Sequence, residues 1–87
     1  MKVPSWPSGH VKLDGDVLEF GAGDLTRVPV ADLEKIEVKE AAGRLSLKIA
    51  YRAGLNNVKT SAWVEEQHRA DLNELVGAVQ AAMDGSG

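Results

Sequence analysis

The sequence predicts an α+β domain, one antiparallel sheet of about six strands covered by a single C-terminal helix, and three observations predict it. Apolar residues alternate with period two from His10 to about Val64, the spacing that places every second side chain on one face of a strand. From Val64 to Met83 the period changes, and Leu72, Leu75, Val76, Val79, Ala82 and Met83 recur at intervals of three and four, one stripe of an α-helix. Short clusters of Gly, Asn and Asp punctuate the alternating part, as turns between antiparallel strands require. A helix with one apolar face must bury it against the sheet that precedes it.

The elements follow in chain order. Residues 1–9 contain Pro4, Pro7, Trp6 and two serines, a composition expected to form an extended N-terminal arm, poorly tied down unless the indole finds a pocket. Val11 and Leu13, then Asp14-Gly15, then Val17 to Phe20 predict a β-hairpin. A third strand is expected over Leu25 to Val30, at an edge or a bend because Pro29 has no N–H to donate to a ladder. Ala31 to Glu34 predicts one helical turn with Asp32 as its cap and Leu33 inward. In Lys35 to Glu40 the alternation puts Ile36 and Val38 in the core. Ala41-Ala42-Gly43 turns the chain into Arg44 to Arg52, whose Leu45, Leu47, Ile49 and Tyr51 face one side and whose Arg44, Ser46, Lys48 and Arg52 face the other. Gly54 to Asn57 is expected as a hairpin loop before the last strand, Val58 to about Val64. The helix is placed from near Glu65, which suits a first turn, although Asp71 to Glu74 also fits a capping box. Gly77 inside it costs about 1 kcal/mol against Ala. Residues 10–83 thus form one domain, and 84–87, Asp-Gly-Ser-Gly, a linker or tail.

The bounds of composition narrow the function classes. At 87 residues there is room for one core and not for a large enclosed cofactor as well. The 44% hydrophobic and 26% charged content excludes a disordered chain. A formal charge of −3 provides no strong overall field towards nucleic acid or anionic lipid. There is no cysteine, so neither a disulfide framework nor a thiolate metal site is expected, and the cytoplasm is the expected compartment. No apolar run approaches the length of a membrane span.

The run Thr26-Arg27-Val28-Pro29-Val30-Ala31-Asp32-Leu33-Glu34-Lys35-Ile36-Glu37-Val38 resembles the "R-x-I-P-L-x-x-I-x-x-V" stretch of small bacterial pleckstrin-homology-like (PH-like) domains of unknown function. The hairpin Leu13 to Leu18 is similar to their first hairpin, and the resemblance extends from about His10 to Met83. It implies a strongly bent antiparallel sheet, or partial barrel, capped at one end by the C-terminal α-helix. A full PH domain has seven strands and longer loops, so six leave strand edges open. Phosphoinositide-binding PH domains, as the resemblance implies, grip the head group with Lys and Arg on the first hairpin. Here that loop reads Asp14-Gly15-Asp16, and its carboxylates repel a polyphosphate; no phosphoinositide membrane binding is expected.

No catalytic constellation is evident, and an enzyme is not expected. Gly21-Ala22-Gly23 precedes a strand and not a helix, so it reads as a turn and not a phosphate cradle. His10 and His68 lack metal-ligand spacing, and none of Ser5, Ser8, Ser46 and Ser61 sits in a nucleophile elbow. No cofactor, metal or nucleic acid is expected. The one gathering of basic residues beside an aromatic is Arg44, Lys48, Arg52 and Lys59 with Trp63. A solvated strand face produces the same pattern, and so does a surface for an acidic or peptide partner. Trp6 and Trp63, the only tryptophans, suit either an interface anchor or core filling. These six residues form the candidate partner-binding set of a non-enzymatic protein-interaction module, expected to be the N-terminal domain of a larger bacterial protein, that holds a protein or peptide partner, or a second copy, through a sheet edge or outer face. A PH-like domain binding a small ligand or a membrane surface is the alternative.

Overall fold

The computed structural model describes residues 2–6 and 8–85. It contains seven strands and one helix: β1 Lys2–Pro4, β2 His10–Asp14, β3 Val17–Gly21, β4 Thr26–Pro29, β5 Leu33–Ala41, β6 Arg44–Ala53, β7 Asn56–Glu65 and α1 Arg69–Gly85. The strands form two antiparallel sheets, ordered β1-β2-β3-β4 and β5-β6-β7. The expectation of one sheet with about six strands is corrected on both points. The seventh strand comes from the supposed arm: Lys2–Pro4 pairs with β2, Val3 opposite Val11, and both side chains are fully buried. A single buried Val ties the segment down, worth about 1.5–3 kcal/mol of apolar burial. Met1, Pro7, Ser86 and Gly87 lie outside the described residues.

Alternation decides which side chains enter the core. Val3, Val11, Leu18, Phe20 and Val28 come from the first sheet, and Leu33, Ile36, Leu45, Leu47, Ile49 and Val64 from the second. Leu72, Leu75, Val76 and Val79 of α1 close the cluster, as the helical stripe predicts. Leu13, Val38, Tyr51, Ala62, Ala82 and Met83 pack against it partly buried. Phe20 and Tyr51 meet edge-on at 6.1 Å between ring centres, so an aromatic pair spans the two sheets.

The joints differ in small ways from the sequence expectation. The helical turn before β5 is a 3-10 turn at Val30–Asp32 without a side-chain cap, and Leu33 already belongs to the strand, buried. Pro29 lies on β4, an edge strand, as its missing N–H requires. Glu65 is still in β7, paired with Arg44; a 3-10 turn over Glu66–His68 follows, and α1 begins at Arg69, between the two starts that Glu65 and Asp71 offer in the sequence. At this start the Arg69 guanidinium pairs with Glu40 at the end of β5 and with Glu66 in the turn. These carboxylates hold the Arg69 pKa above its ordinary value, Glu40 most. Asp84 and Gly85, expected in the tail, continue the helix.

Among the described residues the two sheets are joined at one open side by a single bridge, Trp6 N–H to the Trp63 carbonyl at 2.7 Å, so the barrel is not closed. The other edge of the second sheet is covered: α1 lies along β5, and Gln80 Nε2 donates to the Ile36 carbonyl at 3.4 Å.

Candidate functional site

Five of the six candidate residues fall on one surface by the arithmetic of strand pairing. In β6, Arg44, Ser46, Lys48, Ala50 and Arg52 face away from the core. In register with them on β7 stand Glu65, Trp63, Ser61, Lys59 and Asn57, in that order. Directly opposed residues of an antiparallel pair project from the same face, about 5 Å apart, so Arg44, Lys48, Arg52, Lys59 and Trp63 share the outer face of the second sheet. Ser46 also points outward but is buried, flanked by Trp63 on β7 and Lys39 on β5.

Trp6 arrives from the other sheet. The loop from Ser5 to Gly9 is closed by Ser5 N–H to the Gly9 carbonyl at 3.1 Å and by the Ser5 hydroxyl to the Ser8 carbonyl at 2.8 Å. Gly9 has φ +91°, and a Cβ there would stand 2.1 Å from the Gly21 carbonyl oxygen, so only glycine fits. This loop sets Trp6 against the edge of β7, where its ring lies 3.7 Å beneath the Arg44 guanidinium. The stack is worth about 0.5–1 kcal/mol at an exposed position. Neither tryptophan fills the core; each remains 40% exposed.

The strand β5 adds residues that the sequence reading did not gather into the site. Lys35, Glu37 and Lys39 stand opposite Ala50, Lys48 and Ser46 and therefore project from the same face. Their alternation was legible, but only the β5–β6 register places them beside Lys48. Six of the ten cationic side chains (Lys35, Lys39, Arg44, Lys48, Arg52, Lys59) and two of the thirteen carboxylates (Glu37, Glu65) lie here, a local charge of +4 that leaves −7 for the rest of a chain carrying −3. Glu37 is spent on its own strand, with Lys35 at 3.6 Å and Lys39 at 3.8 Å. Lys48, Arg52 and Lys59 have no ion-pair partner among the described residues.

Small side chains between the lysines open a hollow of about 410 Å³. Its floor is Ala50, with Lys35 and Lys59 directly opposite on the two flanking strands and Lys48 one pleat along. Ser61, opposite Lys48, keeps its other side low. Three ammonium groups and the Glu37 carboxylate thus line a shallow, solvent-open hollow. A smaller hollow of about 290 Å³ lies between Trp6, Arg44, Glu65 and Gln67.

Among the described residues no group of His, Asp and Glu is placed to hold a metal ion. No helix is long and apolar enough to cross a membrane. Comparison with protein-family models, with curated proteins and with solved structures returns no match.

Proposed function

We propose that this chain is a non-enzymatic protein-interaction module of PH-like architecture, part of a larger bacterial protein, whose outer β5–β6–β7 face binds an acidic protein segment. The architecture is supported by the element order: four strands, three strands, then one helix, with the seventh strand that the sequence reading lacked. The partner chemistry rests on one observation, the segregation of charge that puts +4 on this face and leaves Lys48, Arg52 and Lys59 unneutralised. Lys48 and Lys59, diagonal neighbours across the β6–β7 ladder, lie about 7–8 Å apart, comparable to the screening length of about 8 Å at physiological salt, so their fields add at the face although the chain as a whole is acidic. An acidic partner is drawn to this surface and repelled by the remainder, which fixes orientation as well as attraction.

The test is titration of an acidic, unstructured peptide followed by the fluorescence of Trp6 and Trp63. Binding should weaken with salt and fall by about tenfold or more in the charge reversal Lys48→Glu with Lys59→Glu. Equal affinity for the reversed protein would reject the reading.

A second reading has its own observation. Leu55 is fully exposed at the tip of the β6–β7 hairpin, beyond Arg52 on the same hairpin. An apolar tip beside a basic face also suits an anionic membrane surface, where each cation contributes about 1 kcal/mol. Vesicle binding abolished by Leu55→Asp, with no peptide binding, would favour it. The β2–β3 hairpin remains unsuited to phosphoinositides on this reading too, because Asp14 and Asp16 stand at its turn.

A further inference from the structure

The outer edge of β7 differs from the β5 edge of the same sheet. On the β5 side α1 packs along the strand and Gln80 Nε2 donates to the Ile36 carbonyl. On the β7 side the sole backbone partner among the described residues is Trp6, at Trp63. Backbone groups along an antiparallel strand point alternately to its two neighbours. The Trp63 carbonyl points outward to Trp6, so the N–H and C=O of Ser61, Lys59 and Asn57 point outward as well. Five consecutive residues, Asn57 to Ser61, therefore form an unpaired edge long enough to template another strand. The side chains of those outward residues lie on the basic face.

Resting on the function proposed above, we infer that the acidic partner binds as an added β-strand along β7 from Asn57 to Ser61, with acidic side chains at alternate positions. The added strand pairs its backbone with Lys59 and Ser61. Period two then aims every second side chain of the ligand at the face carrying Lys59 and Lys48, while the others point the opposite way. Charge decides the occupant. Two copies of this chain pairing through β7 would set one +4 face beside another, with Lys59 and Arg52 of each confronting cations of the other. A strand with carboxylates at positions i, i+2 and i+4 meets opposite charge throughout.

The experiment uses the full chain and a synthetic seven-residue peptide of alternating Glu and Val, compared with a peptide of the same composition in two blocks. Strand addition predicts that the alternating peptide binds more tightly and slows amide exchange at Lys59 and Ser61 by about tenfold or more. N-methylation of the peptide amides that face β7 should cost about tenfold, and methylation of the alternate set much less. Ser61→Pro removes an outward N–H without touching the β6–β7 ladder and should weaken binding similarly, with amide exchange in β6 unchanged as the control for folding. If the peptides bind equally, with Lys59 and Ser61 exchange unaltered, the strand-addition inference is overturned while the acidic-partner reading stands. If neither peptide binds, both fall. Formation of a dimer that protects the same amides would assign the edge to a second copy instead.

Discussion

The outer faces of the two sheets are built alike and spend their charges differently. On the first sheet, Glu19 lies opposite Lys12 and Arg27. His10 Nε2 stands 3.0 Å from its carboxylate, and the Arg27 guanidinium lies 3.9 Å from it and 3.9 Å from that of Asp14. The acid is at the centre of the face and the bases surround it. On the second sheet the single central acid, Glu37, is taken by Lys35 and Lys39 on the same strand, and Lys48, Arg52 and Lys59 remain without a counter-ion among the described residues. The first face pairs its central acid with its neighbours and leaves Lys2 and Lys12, opposite each other, without an ion pair among the described residues; the second leaves three cations unpaired beside an open strand edge. Surface pairs of the first kind contribute little stability each, about 0–1 kcal/mol, so the contrast concerns availability more than energy.

Both faces rest on one shared core, and the largest effect should come from breaking it. Leu47, fully buried on the inner side of β6, should cost about 2–5 kcal/mol on truncation to Ala. Its neighbour Lys48, on the outer side, should stay within about 0.5 kcal/mol on the same change. Urea melts of the two variants measure this directly, and similar losses would mean that the faces have been assigned the wrong way round.

Next in size is the helix. Val79→Ala removes a fully buried contact and should cost about 1–3 kcal/mol. Gln80→Ala loses one hydrogen bond to Ile36 and should cost about 0.5–1.5 kcal/mol. Its loss should also raise amide exchange along β5 and leave β7 unaffected, which would sharpen the contrast between the covered edge and the open one.

A smaller change, in the stabilising direction, is expected at the β5–β6 turn. Ala42 and Gly43 both have positive φ, +52° and +78°, the type I′ geometry in which Asn-Gly is preferred. Ala at such a position is strained by about 1 kcal/mol. Ala42→Asn should therefore raise the urea midpoint modestly, with no effect on peptide binding, since the turn lies off the hollow.

The smallest effect separates the paired face from the unpaired one by pH. The hydrogen bond with His10, and secondarily the charge of Arg27, hold the Glu19 pKa below its ordinary value of 4.5. A carboxyl with a depressed folded-state pKa contributes stability above its unfolded value and loses it as pH falls through the folded one. Glu19→Gln should consequently narrow the stability difference between pH 6 and the acid range below about pH 4.5, whereas Lys48→Gln should leave that acid limb unchanged. Parallel pH-dependent melts with no difference between the two variants would remove the electrostatic distinction drawn between the faces.

What the sequence determined by itself was periodicity and its consequences. Alternation is a local property, so Ile36, Leu45, Leu47 and Ile49 could be assigned inward and Arg44, Lys48 and Arg52 outward from the chain alone, and the three-and-four spacing of Leu72 to Val79 marked the buried stripe of the helix. Turn chemistry located the hairpins for the same reason. Tertiary structure decided whatever depends on which strands become neighbours. Lys2–Pro4 carries too short a pattern to read as a strand, and it became one because Val3 meets Val11. Lys35, Glu37 and Lys39 joined the basic face only through the β5–β6 register, and Trp6 reached Arg44 only because a glycine loop crosses between two sheets. Glu65 stayed in β7 rather than opening the helix because the ladder to Arg44 holds it there. An edge is likewise invisible in a sequence: β5 and β7 have equal rights to it until the chain folds α1 over the first and leaves the second open, because backbone hydrogen bonds are non-local and every residue offers the same N–H and C=O.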